Sequence, residues 1–370
     1  MTVNAGRGRI PEAMKLIRLF RSGLIVGVLL STAWMPWFAM DDVSAKTEVD
    51  KVAIVTPASR SNQGWDQQGV DTLVAIGKDR DIEVEVVENA GNDPITPVLR
   101  DLADDDVDLV FCHASGYQSE CPEFAQSEGV PVVVIENPDA VLDGLVADIE
   151  TQAQKVAYLA GVMAAAETKT GKVAIVVSGE PPTWNYMTAG FAQGVHDTNP
   201  DVELIYSVIG EAAYDDSPNA KRVTETVIAA GADIVFGMGD GASFGMIQAI
   251  REHNAESEDE QAVRFIDVIG DKSDSEAGEF LMTSVLFDYT GAYTTMIDDL
   301  EAGTFGSVYT MNLENEGVRL LEPPIEIDPA TMEQVEKARQ GILDGTITVP
   351  TISDAEELET FLDDLAGDQE

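Results

Sequence analysis

The chain has 370 residues, too many for one average domain and enough for two that each bury a core. Its formal net charge of −45 accompanies 44% hydrophobic residues spread along the whole length, so the acidity coats a folded body. Such a coat excludes nucleic acid and anionic lipid as natural partners and suits salty surroundings, where screening weakens its self-repulsion.

Residues 1–45 differ from the rest. Arg7, Arg9, Lys15, Arg18 and Arg21 precede an apolar run over 23–40, and the small residues Val43-Ser44-Ala45 follow it. This is the pattern of an export signal, either cleaved or retained as an amino-terminal membrane anchor. No cysteine follows the run, so lipid attachment is not expected.

From residue 51 short Val/Ile-rich runs alternate with longer amphipathic stretches. Runs at 52–56, 82–87, 107–111 and 130–135 are predicted strands, and their continuous apolar character is what a parallel sheet covered on both faces requires. A helix over 151–167 opens a second series, with strands at 172–177, 202–207, 233–237 and 265–270. A further strand at 280–287 and helices near 291–301 and 330–343 follow. Ser217 before Pro218 and Asp328 before Pro329 mark helix starts. The expectation is an α/β protein of two doubly wound parallel-sheet lobes joined by hinge crossovers. One lobe takes residues 46–150 plus about 285–303, the other 151–284 plus about 304–350, and 351–370 form a loosely attached acidic tail. Sheets of this kind bind ligands beyond the carboxyl ends of their strands, so two facing sheets share a cleft.

The candidate recognition residues sit at those strand ends. The first loop carries Asn62, Trp65 and Asp66, a flat stacking face beside directional polar groups, which suits a nucleobase or a sugar ring. His113, Ser115 and Tyr117 follow the third strand. In the second lobe Trp184, Asn185 and Tyr186 follow the 172–177 strand, Asp240 lies between two glycines, and Asp271 ends the next strand. Tyr214-Asp215-Asp216 is the weaker candidate, read as a loop leading into a helix. Cys112 and Cys121 flank one short loop and are either a disulfide or two separate thiols; the sequence leaves both open. With three histidines and no paired Cys/His spacing, neither a metal nor a cofactor is expected.

The loop Asn62-Gln63-Gly64-Trp65-Asp66 resembles the aromatic-bearing first loop of the basic membrane protein family of solute-binding proteins, whose members include purine nucleoside receptors. Further matches follow in order: Val156-Ala157-Tyr158-Leu159-Ala160-Gly161, Gly171-Lys172-Val173-Ala174-Ile175-Val176, Gly190-Phe191-Ala192-Gln193-Gly194-Val195, Gly231-Ala232-Asp233-Ile234-Val235-Phe236 and Val268-Ile269-Gly270. The resemblance implies a periplasmic-binding-protein type I-like fold, an ABC transporter permease with its ATPase subunits as partner, and a base held between aromatics of the two lobes. Trp65 resembles the first-loop stacking aromatic, with Asn62 and Asp66 as its polar neighbours. Two departures stand out: Asn62-Gln63-Gly64-Trp65-Asp66 replaces the family's Asp-X-Ser-Phe-Asn, and Gly270-Asp271-Lys272-Ser273-Asp274 shifts its acidic pattern. A sugar receptor of the same fold is the alternative. A secreted nucleoside or glycoside hydrolase would need an acid pair such as Asp240 and Asp271. The chain has no Gly-X-Gly-X-X-Gly turn after a strand, no Walker lysine, no Gly-X-Ser-X-Gly elbow and no metal-binding histidine pair, so a receptor rather than an enzyme is expected.

Overall fold

A computed structural model describes residues 48–91, 94–257 and 262–367; the expected export segment at 1–45 lies outside them. The first lobe begins with β1 (Lys51–Val55), α1 (Trp65–Arg80), β2 (Glu83–Val87), α2 (Thr96–Asp104), β3 (Leu109–Cys112), α3 (Glu120–Glu128), β4 (Val132–Ile135) and β5 (Val146–Thr151). The chain then crosses into α4 (Ala153–Glu167), β6 (Lys172–Val177), α5 (Pro182–Thr198), β7 (Glu203–Val208), α6 (Ser217–Ala229), β8 (Ile234–Met238), α7 (Ser243–Glu256), β9 (Arg264–Ile269) and β10 (Leu281–Phe287). It returns through α8 (Thr290–Ala302) and β11 (Val308–Met311), and ends in β12 (Val318–Leu320), α9 (Pro329–Leu343) and α10 (Ala355–Gly367).

These strands make two six-stranded sheets. The first has the order β11-β5-β4-β3-β1-β2 and is parallel throughout. The second has the order β12-β10-β9-β8-β6-β7 and is parallel except for β12, which runs antiparallel to β10. The central strands β3 and β4 are buried at every residue, as continuous apolar runs covered on both faces must be. The chain passes between the sheets three times, after β5, after β10 and after β11, so three short segments connect the lobes and can act as hinges.

Helix α4 is buried from Ala153 to Ala165 at every residue but Lys155. It can be so enclosed because it lies almost against α5: a Cβ at Gly161 would stand 2.2 Å from the Phe191 carbonyl oxygen, and one at Gly194 would stand 2.1 Å from that of Tyr158. Glycine there is a packing requirement of the α4–α5 contact.

Several features differ from the sequence reading, among them the short edge strands β11 and β12, which it does not contain. Strand β5 was not foreseen, because Asp148 and Glu150 interrupt its apolar run. The return to the first lobe does not stop near residue 303; it continues to Met311, because β11 pairs with β5. The stretch 351–370 is not a loose tail: α10 packs on α5 and buries Leu358 completely beside Ala189 and Ile352. Helix α6 is capped one residue earlier than expected, with the Asp216 carboxylate accepting the Asn219 N–H. Asp328 caps α9 by accepting the Ala330 N–H, as its Asp-Pro signature predicts. Cys112 and Cys121 are joined in a disulfide that ties the end of β3 to the first turn of α3. Among the described residues no helix is long and apolar enough to cross a membrane.

Candidate functional site

The loops after β1 and β3 in the first lobe face those after β6, β7 and β8 in the second, and a cavity of about 700 Å³ lies between them. Trp65, Asp66 and Ser115 line it from one side; Thr183, Trp184, Tyr214, Asp215 and Asp240 line it from the other. The lobes touch at its edge, where the Trp65 main-chain N–H donates to the Asp240 carboxylate at 2.9 Å. This approach needs Gly64, since a Cβ there would stand 2.9 Å from the Asp240 Cα.

Trp65 opens α1 and is held by a reciprocal pair of bonds to His113. Its indole N–H donates to the His113 carbonyl at 3.0 Å, and the His113 ring Nε2 lies 3.0 Å from the Trp65 carbonyl. The two rings stack with centroids 4.9 Å apart, while Tyr289 and Phe287 meet the indole edge-on at 5.8 and 6.1 Å. A carbonyl can only accept, so His113 carries its proton on Nε2, and Nδ1 accepts the Tyr293 hydroxyl at 2.8 Å. Burial pushes the His113 imidazole down to about 4, so it is neutral.

His113 therefore does not face the cleft as a reader of ligand edges; it is fully enclosed and orients Trp65. Tyr117 is also buried, its hydroxyl donating to the Gly91 carbonyl at 2.7 Å, and it does not line the cavity. Asn62 is turned inward: its amide donates to Asp66 at 2.6 Å and its carbonyl accepts the Gly64 N–H at 3.1 Å, which shapes the loop that presents Trp65. Asp271 is exposed and accepts the Ser273 N–H at 2.8 Å in a turn outside the cleft. The residue beside it, Lys272, is buried in an ion pair with Asp267. Of the eight foremost candidates, Trp65, Asp66, Trp184 and Asp240 are the ones brought together on the cavity wall.

The carboxylates there are perturbed. Burial raises Asp240 to about 7, helped by the charges of Asp66 and Asp215. Burial also raises Asp66 to about 6, against the Ala58 N–H and the Asn62 amide that favour its ionised form. Trp184 meets Tyr214 edge-on at 5.1 Å, so the second lobe offers an aromatic corner opposite Trp65. Tyr214 and Asp215, weak candidates in the sequence, both line the cavity, and Asp215 also accepts the Gly241 N–H at 2.9 Å. Thr183 was missed: it follows two prolines at a helix start, with no motif around it, yet it is buried on the wall and its hydroxyl has no hydrogen-bond partner in the protein. Among the described residues no cluster of His, Cys, Asp or Glu is arranged to hold a metal ion.

The fold has parallels among solved structures. A solute-binding protein of an ABC transporter system from Aeropyrum pernix superposes with a TM-score of 0.75 at 18% identity, covering 87% of this chain and 98% of that one. One from Conexibacter woesei gives 0.68 at 18% identity, covering 82% and all of it. In sequence, the ABC transporter nucleoside-binding protein BmpA of Lactococcus lactis is 25% identical over 335 residues, which covers 83% of this chain and 91% of that protein. The model of the Bmp family, ABC transporter substrate-binding protein PnrA-like, matches residues 49–353, and the chain belongs to that family.

Proposed function

We propose that the protein is an extracytoplasmic receptor that closes on a purine nucleoside or related nucleobase compound and delivers it to the permease, and through it the ATPase subunits, of an ABC uptake transporter. The observation that carries this reading is one indole from each lobe, Trp65 and Trp184, on the walls of a single cavity of about 700 Å³, roomy enough for a nucleoside. The nucleoside-binding relative in Lactococcus lactis supports it, and the export pattern at 1–45 supports the location, with attachment to the membrane through the transporter or a retained anchor. Against a hydrolytic role, Asp271 lies outside the cleft and does not form the acid pair with Asp240 that such a reading needs. Titration with inosine followed by indole fluorescence tests the reading: saturable quenching that is lost in Trp65→Ala is expected. Equal affinity in that variant removes the stacking role. A sugar that displaces inosine from the same site would make the cleft a sugar receptor instead.

A further inference from the structure

The cavity wall holds five carboxylates, those of Asp66, Glu211, Asp215, Asp216 and Asp240, and no lysine, arginine or histidine. Among the described residues none of the five takes part in an ion pair. Asp66 and Asp240 are buried, and their hydrogen-bond partners are neutral: the Ala58 N–H and the Asn62 amide for one, the Trp65 N–H for the other. The one basic group whose charge Asp240 feels is Lys272, which is already paired with Asp267. Behind the wall the Glu136 carboxyl accepts the hydroxyl of the lining Ser115 at 3.3 Å. Buried carboxylates without a counter-cation are costly, and each raises the cost of ionising the next.

Three aromatic faces, Trp65, Trp184 and Tyr214, share this wall. Aromatic rings interleaved with carboxylates are the surroundings in which an organic cation is most stable, since both the ring quadrupoles and the negative charges attract it. A neutral guest can stack on the aromatics and donate hydrogen bonds to the carboxylates but leaves their charge uncompensated, and an anionic guest such as a nucleotide would be repelled. The Thr183 hydroxyl on the same wall, 3% exposed, has no partner within the protein, in common with the buried hydroxyls of Thr151, Ser178, Thr188 and Thr224.

We infer that the cleft selects a positively charged ligand, a cationic nucleobase compound, held by the Asp66, Asp215 and Asp240 carboxylates against Trp65 and Trp184, with Thr183 supplying a hydrogen bond. The inference rests on the receptor reading above for the base and goes beyond it in assigning the charge.

The test compares two isomers at neutral pH and one fixed salt concentration by isothermal titration calorimetry. 1-Methyladenosine is protonated on its ring under these conditions, and N6-methyladenosine is neutral. The cation is expected to bind about tenfold more tightly. Choline and its neutral carbon analogue 3,3-dimethylbutan-1-ol repeat the comparison without a base. Equal or tighter binding of N6-methyladenosine overturns the charge assignment while leaving the nucleobase reading intact. Binding of choline but of neither nucleoside overturns the nucleobase reading and supports the charge assignment. Absence of saturable binding by both cations overturns the assignment. Asp240→Asn keeps an oxygen acceptor for the Trp65 N–H and is expected to shrink the isomer preference; Glu211→Gln, at an exposed position, does the same without touching the interlobe contact. An unchanged preference in both variants overturns the role of the carboxylates. Thr183→Val is expected to weaken the bound cation severalfold, and unchanged affinity removes Thr183 from the site.

Discussion

His113 carries two bonds that nothing else nearby can replace: its Nε2–H serves the Trp65 carbonyl and its Nδ1 takes the Tyr293 hydroxyl. Replacing it with leucine leaves the buried Tyr293 hydroxyl unpaired and takes from the Trp65 carbonyl its side-chain donor, and His113→Leu should lose about 2 kcal/mol of stability in denaturant unfolding. Because the folded ring stays neutral while the unfolded one takes up a proton below 6.5, the loss should be smaller at pH 6 than at pH 8, by up to about 1 kcal/mol. A loss that grows toward low pH would mean the imidazole is charged in the folded protein. The same residue shows why single positions were only partly legible. A histidine at a strand end reads equally well as a ligand contact or as an inward support, and the choice depends on Tyr293, which lies 180 residues away on α8. Trp65 stands out as an aromatic set among polar groups in the first strand-to-helix loop and Asp240 by the glycines on either side of it, and both lie on the cavity wall.

At the scale of elements, the disulfide between β3 and α3 fixes the loop that carries His113 and Ser115. It closes a short loop, so the double substitution Cys112→Ser with Cys121→Ser should cost about 2 kcal/mol, read as a shift in the urea midpoint at constant slope. A midpoint that does not move would show that the surrounding packing already holds the loop. Strands β1, β3, β4, β6, β8 and β9 were visible as Val/Ile runs because burial on both faces demands such runs. Strands β11 and β12 were not, since three or four residues at a sheet edge carry too little pattern. Helix α10 reads as an acidic tail until Leu358 and Leu365 are seen to face the protein, one on the cluster with Ala189 and Ile352.

For the whole molecule, charge is the governing quantity. Burial raises Glu136 to about 8, Glu150 and Asp240 to about 7 and Asp66 to about 6, all above the ordinary carboxylate range. Groups raised in this way hold protons in the folded state that the unfolded chain releases, so the stability they contribute is complete at low pH and lost as pH rises through those values. His113, lowered to about 4, acts in the opposite sense, but only below its ordinary value of 6.5. Between pH 6.5 and about 8 the ligand-free protein should therefore lose thermal stability at fixed salt, and Glu136→Gln should flatten the slope. A melting temperature that rises across this window in scanning calorimetry would contradict these shifts. The net charge of −45 gives a second expectation: the melting temperature should climb as KCl is added, because screening relieves repulsion over the whole surface. A fall in melting temperature with added salt would argue against an acidic coat adapted to brine.

The sequence by itself determined the two-lobed α/β plan, since periodicity and apolar continuity are local properties repeated along the chain. It also determined the family resemblance, the placing of candidates at strand ends and the sign of the surface charge. Tertiary structure decided what is not local. It set which strand ends face one another, so that Asp66 and Asp240 meet while Asp271 does not; which polar groups turn inward, as Asn62, His113 and Tyr117 do; and how far the chain stays on the first sheet before returning. Those outcomes depend on contacts between residues far apart in sequence, and a pattern read a few residues at a time carries no record of them.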